Sequence, residues 1–339
     1  MEIGLNKLFL FPDKLRELIK ASKDEKAIDN TYPVSVELSL TNRCNFNCIW
    51  CSDKKIRNDY KGDIDKKVLF KLIDDLAKGG TKGICVEGGG EPVLYQDFKE
   101  VVQKIKSTGM SVGLITNGSI FNYGEIIDCF EWIRVSLDVS TASQMEKLKG
   151  SKSFNQVISN IHNMCKLRKD TVIGVAYVLS NKNSVSLEKM VKKIKSFGAD
   201  YFYIRPVIDH PELWPKNLNF DKLMKYSDDK FSVLLSAMKE HQIRGNNSLP
   251  CVANSLTTVI TADGNIHLCG RLNQYEDWQP MGNLYENSFD EIWKGEKRKE
   301  QSIQVKNRQF CNKKCPECRL TKFNIAVNDL NQTKTKNFI

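Results

Sequence analysis

The chain has 339 residues, of which 41% are hydrophobic and 27% charged, with 9 prolines and a formal charge of +10. This ordinary composition excludes a disordered or fibrous chain and is enough for one large core plus a smaller appended domain. No apolar run approaches the ~18 residues of a membrane span, and Leu8 to Phe11 is too short for a signal-peptide core, so a cytoplasmic protein without membrane partners is expected.

In chain order, residues 1–33 hold an amphipathic helix, Asp13 to Lys23, and a polar linker ending at Tyr32-Pro33. Strand-like runs then follow at Val34–Leu40, Gly83–Gly88, Ser111–Thr116, Trp132–Asp138, Val172–Leu179 and Tyr201–Val207. Helical patterns separate them at Lys66–Lys78, Tyr95–Ser107, Ser153–Leu167 and Leu187–Phe197, with a shorter one at Tyr123–Phe130. Near-continuous apolar strands alternating with helices predict an α/β fold with a parallel sheet buried on both faces, spanning residues 34–220. Residues 221–250 read as a helical connector, Phe220–His241, followed by the linker Arg244 to Ser248. A second domain of α+β type is expected over 251–322 and a polar, frayed tail over 323–339.

The eleven cysteines are clustered, three in Cys44–Cys51 and five in Cys251–Cys318. In a reducing compartment that pattern points to metal sites rather than disulfides. Basic residues alternate with acids, as in Lys66-Lys67 and Asp74-Asp75, so nucleic acid is not the expected partner; an anionic or nucleotide-bearing ligand stays open. Cys44, Cys48 and Cys51 form CxxxCxxC in the loop after the first strand. Three thiolates leave one position of a four-coordinate centre open, which is where chemistry takes place.

Ligands of parallel sheets gather at the carboxyl ends of the strands. There the sequence places Gly88-Gly89-Gly90-Glu91-Pro92, Thr116-Asn117-Gly118, Ser136-Leu137-Asp138, Leu179-Ser180-Asn181 and Ile204-Arg205-Pro206. Alternation predicts Ser136 and Asp138 on one face. Arg205 is a candidate to hold a carboxylate or to work beside a substrate hydroxyl, with a peripheral salt bridge as the alternative. His210, in the loop leaving the sixth strand, is a candidate substrate contact; Cys85, Cys129 and Cys165 read as core filler.

The CxxxCxxC loop with Trp50 before its last cysteine, together with Gly89-Gly90-Glu91-Pro92, resembles the signature of the radical S-adenosylmethionine (SAM) superfamily. The resemblance implies a partial (β/α)6 barrel and a [4Fe–4S] cluster on Cys44, Cys48 and Cys51 whose open iron holds SAM. Trp50, Gly89, Gly90, Glu91, Pro92, Asn117, Ser136, Asp138 and Asn181 would then surround SAM. One electron entering the cluster would split SAM into methionine and a 5′-deoxyadenosyl radical, which takes a hydrogen atom from substrate. An electron donor such as flavodoxin or ferredoxin is the implied partner.

Asp263-Gly264 between two short alternating runs predicts a hairpin that brings Cys269 back toward Cys251. The hairpin, Gly282-Asn283-Leu284 and Glu291-Ile292-Trp293 resemble the SPASM/twitch domains that follow many radical SAM barrels. Five cysteines, Cys251, Cys269, Cys311, Cys315 and Cys318, imply the shortened twitch type with one auxiliary [4Fe–4S] cluster. Cys318 is favoured over Cys311 as the fourth ligand; a Cys₄ zinc site satisfies the same count. The expected function is two-electron oxidation of an alcohol on a sugar, aminocyclitol or similar small molecule, with the auxiliary cluster taking the second electron. The alternative is peptide or protein modification through a thioether or carbon–carbon crosslink.

Overall fold

The computed structural model describes residues 5–207, 210–215, 219–236, 249–270, 272–275, 277–307, 318 and 320–333. Seven strands lie side by side and parallel: β1 (Ser35–Leu38), β2 (Gly83–Val86), β3 (Ser111–Thr116), β4 (Phe130–Ser136), β5 (Val172–Leu179), β6 (Tyr201–Pro206) and β7 (Ser232–Leu235). Three more, β8 (Thr257–Ile260), β9 (Asn265–His267) and β10 (Gly282–Asn283), extend the sheet beyond β1. The order β10-β9-β8-β1-β2-β3-β4-β5-β6-β7 leaves β10 and β7 as edges, so the barrel is partial and open.

Alternation along each strand sorts the side chains. Val36, Leu38, Ile84, Val86, Leu114, Ile133 and Val135 are buried. They share one core with Leu69, Leu72 and Ile73 of α3 (Lys66–Lys78) and with Val101, Val102 and Ile105 of α4 (Phe98–Ser107). Asp65 starts α3 by accepting the N–H groups of Lys67 and Val68, a cap worth about 1 kcal/mol. Glu37, Cys85, Glu87, Arg134, Tyr203 and Arg205 occupy the alternate positions and are only partly buried.

Two expectations are corrected. The connector over 221–250 is not one helix: residues 237–248 lie outside the described residues, and the rest holds a short helix, Asp221–Met224, and strand β7, which pairs with β6 from Tyr201↔Ser232 to Ile204↔Leu235. Phe231 and Val233 are buried; a four-residue strand is too short for its period to outweigh a surrounding helical pattern. The C-terminal region expected over 251–322 joins the same sheet, because β8 pairs parallel with β1 from Ser35↔Thr257 to Leu38↔Ile260. Residues 334–339 of the tail lie outside the described residues, and 323–332 lie in a helix over Thr321–Gln332, packed on α1 (Pro12–Lys23) through contacts such as Asn331 Nδ2 to Ser22 Oγ at 2.6 Å. Asn324 and Val327 of that helix are buried, which is why it does not fray.

The polar linker before β1 is strapped to the C-terminal region by two helices, Phe289–Lys294 and Glu296–Lys306. Trp293 Nε1 donates to Thr31 O at 3.0 Å and Arg298 Nη2 to Asp29 O at 2.6 Å. Lys306 Nζ donates to the carbonyls of Ala21, Asp24 and Ala27. Beneath these, Lys14 and Asp29 form a buried ion pair at 2.6 Å. Among the described residues no helix is long and apolar enough to cross a membrane.

Candidate active site

The cysteine loop follows β1 and is held on three sides. Gly90 N–H donates to Thr41 O and Glu91 N–H to Arg43 O, both at 2.8 Å. A Cβ on Gly90 would lie 1.9 Å from Arg43 O, and one on Gly89 2.2 Å from Asn42 Oδ1. These glycines therefore let two backbones meet, which any side chain would prevent. On another side, Asn47 and Ile49 donate their N–H groups to the carbonyls of Lys149 and Leu148 at 2.9 and 3.0 Å, at the end of α5 (Ala142–Lys149). From the third, Asn117 Nδ2 donates to Asn45 Oδ1 at 2.8 Å.

All three cysteines are half-buried free thiols. Burial pushes the Cys48 thiol up to about 11, Lys149 opposes the rise, and Asp138, Cys51 and Cys44 add to it. Cys44 is raised for the same first reason, eased by the Phe46 N–H and by the charge of Arg57. Two cations thus face the thiols. Arg57 of α2 (Lys54–Asp59) lies with Nη1 3.7 Å from Cys51 Sγ. Lys149 is buried and donates to Asp138 Oδ2 at 2.7 Å.

The strand-end residues divide into two groups. Glu91 is buried, and its carboxylate accepts Thr116 Oγ1–H at 2.6 Å, Asn117 N–H at 2.7 Å and Val93 N–H at 3.4 Å. Burial raises its pKa against those donors. Pro92 is buried behind it and opens a 3₁₀ turn. Glu91 thus latches the β2 and β3 ends together. Asp138 leaves the face expected for it beside Ser136. Its φ of 57° breaks the alternation after β4, and its carboxylate is taken by Lys149 and by Val178 N–H at 2.8 Å. Asn117 ties the loop and caps Ser119. Asn181 is exposed, while Asn183 beside it is buried and bridges Asp138 O and Val178 O, both at 2.7 Å.

Ser136 and Arg205 remain partly open and on the concave side. Arg205 Nε is buried without a partner, as is Trp50 Nε1 beside the cysteines. His210 is not brought to the site: it pairs with Glu212 at 3.0 Å, and its side chain is 55% exposed. The concave face instead carries charges that sequence reading missed. Burial raises Glu87, with Arg134 and Arg205 pulling it down and Asp53 pushing it up. Arg134 lies over the Trp132 and Tyr203 rings at 5.6 and 5.8 Å, a cation–π setting. Asp53 is raised by burial, accepts the Gly89 N–H and feels both Arg57 and Arg205. A charged residue inside an apolar strand run was the available signal for Glu87 and Arg134.

In the C-terminal region, Cys251 precedes a 3₁₀ turn that leads into β8, and the β8–β9 hairpin runs back toward it, with Cys269 two residues past His267. Cys318 Sγ accepts Leu320 N–H at 3.4 Å. Cys311 and Cys315 lie outside the described residues.

Residues 38–194 match the radical SAM superfamily model, and residues 251–319 match that of the SPASM iron–sulfur cluster-binding domain. The chain belongs to the radical SAM superfamily. Among its relatives, the tungsten-containing aldehyde ferredoxin oxidoreductase cofactor-modifying protein of Pyrococcus furiosus is 24% identical, over 84% of this chain and 86% of its own. The mycofactocin maturase MftC of Mycobacterium ulcerans is 24% identical, over 77% and 74%. The sporulation killing factor maturation protein SkfB of Bacillus subtilis is 23% identical, over 78% and 66%. In structure, Streptococcus suis SuiB bound to S-adenosylmethionine aligns with a TM-score of 0.66 at 15% identity, covering 99% of this chain and 82% of SuiB, a likeness of fold.

As a radical SAM enzyme with a SPASM domain, the protein uses a [4Fe–4S] cluster, SAM and auxiliary iron–sulfur binding. The cysteine loop fits the first of these. Cys44, Cys48 and Cys51 sit in one loop, near enough that Cys48 feels the charge of the other two. In a cubane each thiolate binds its own iron, so three such thiols would leave the fourth iron open. Arg57 and Lys149 offset the negative charge that deprotonated thiols would bring. When bound, the cluster and SAM supply a radical that abstracts hydrogen; the chain binds, orients and shields them.

Proposed function

We propose that this radical SAM enzyme modifies a peptide, abstracting a hydrogen atom from a substrate C–H, with the C-terminal cluster taking the second electron. The observation that carries this reading is that two maturases, MftC and SkfB, match 77% and 78% of this chain, more than the barrel alone. SuiB, whose fold is shared, has also been captured with its precursor peptide SuiA. The concave face agrees: Glu87, Arg134 and Arg205 among Trp132 and Tyr203 offer charge and ring contacts of the kind that peptide side chains use. Oxidation of a sugar or aminocyclitol alcohol, expected from the sequence, gains no support from these relatives.

Cys44, Cys48 and Cys51 hold the SAM-binding cluster; Trp50, Gly89, Gly90 and Ser136 line it. Arg205 orients the substrate. Cys251, Cys269 and Cys318, with Cys315, hold the auxiliary cluster, and a flavodoxin- or ferredoxin-type protein supplies the electron. The test is anaerobic incubation of reconstituted enzyme with SAM, dithionite and the short peptides encoded beside its gene. A peptide that loses two hydrogen atoms, with matching 5′-deoxyadenosine, is expected. Deoxyadenosine formation stimulated by sugar alcohols and not by any such peptide would reverse the choice.

A further inference from the structure

We propose that Arg57 sets the reduction potential of the cluster held by Cys44, Cys48 and Cys51. It lies six residues beyond Cys51, and α2 turns its guanidinium back over the loop that carries all three thiols. Nη1 approaches Cys51 Sγ at 3.7 Å, while Nε and Nη2 donate to Asn42 O at 3.3 Å and Phe46 O at 3.4 Å. The two carbonyl contacts hold the fork in place, and the remaining arm carries a positive charge to a ligand sulfur. Its field also reaches Cys44.

The second cation near the thiols is a weaker candidate. Lys149 is paired with the Asp138 carboxylate at 2.7 Å, so the cluster faces an almost neutral couple. Arg57 forms no ion pair within 4.0 Å among the described residues; the acid that feels it, Asp53, directs its carboxylate to the Gly89 N–H. Adding an electron makes the cluster more negative, so an adjacent fixed cation and a hydrogen bond to sulfur both favour the reduced form. Arg57 is thus a positioning residue that acts through the cluster. It eases entry of the electron that starts turnover, whatever the substrate is.

The test uses the full-length, reconstituted protein and no substrate. Arg57→Gln and Arg57→Lys are compared with the parent for iron and sulfide content, then titrated with dithionite while the reduced clusters are followed by electron paramagnetic resonance. The signal that changes on adding SAM belongs to this site. Arg57→Gln is expected to keep its iron and to shift that midpoint to a more negative potential, with Arg57→Lys closer to the parent. Should Arg57→Gln fail to load iron, a loaded Arg57→Lys near the parent potential upholds the proposal. An unchanged midpoint in Arg57→Gln, or loss of iron from both variants, overturns it: the first makes the charge irrelevant, the second makes Arg57 only a brace.

Discussion

Glu91 and Asp138 illustrate how a residue at a strand end can brace the structure around a site. Each carboxylate is buried, and each is consumed by donors from neighbouring strands and from the end of α5. Lys149→Met would leave Asp138 with a single N–H donor in a dry site, and breaking a buried pair costs about 3–5 kcal/mol. Anaerobic denaturant unfolding should show that loss. Glu91→Ala removes three accepted bonds, and a decrease of about 2 kcal/mol is expected because Thr116 Oγ1 and Asn117 N–H lose their acceptor. The same variant should release iron faster, since Asn117 also holds Asn45 in the cysteine loop. A stable Glu91→Ala protein with weakened SAM binding would instead make Glu91 a direct ligand contact.

At the scale of elements, the segment before β1 acts as a strap. Arg298 is fully buried, lies 3.9 Å from the Trp293 ring centroid, and donates to Asp29 O and Trp293 O. Removing it unpairs two carbonyls and loosens the ring beneath. Arg298→Ala should cost about 3 kcal/mol, and limited proteolysis should cut first between residues 24 and 32. Cleavage elsewhere, with unchanged stability, would show that the strap does not need this anchor. The helix ends carry a similar lesson. α5 is short, with few apolar positions, yet its last carbonyls receive the cysteine loop and its last residue faces Cys48.

For the whole molecule, β8 beside β1 puts the C-terminal cysteine region on the same sheet as the radical site. Anaerobic reconstitution should yield about eight iron atoms per chain, four for each [4Fe–4S] cluster; about four would remove the auxiliary cluster from the account. Replacing Cys44, Cys48 or Cys51 with Ala should abolish 5′-deoxyadenosine formation. Cys251→Ala should spare some SAM cleavage while stopping product formation, because it interrupts only the exit of the second electron. Full product formation by Cys251→Ala would show that the electron leaves by another route.

Local signals carried the parts of this protein that local chemistry governs. The three-cysteine loop, the apolar strands β3 and β5, helix α3 and the Asp263-Gly264 hairpin all stand where spacing and alternation place them. Tertiary structure decided what each polar strand end does. The carboxylates of Asp138 and Glu91 take donors such as Lys149 and Thr116 from positions whose proximity depends on strand order and register, which one dimension does not show. The same holds for the charges on the concave face and for Arg57, whose meaning arises only when α2 folds back on the thiols. A buried charge is defined by its partners, and partners distant in sequence are assigned by the fold.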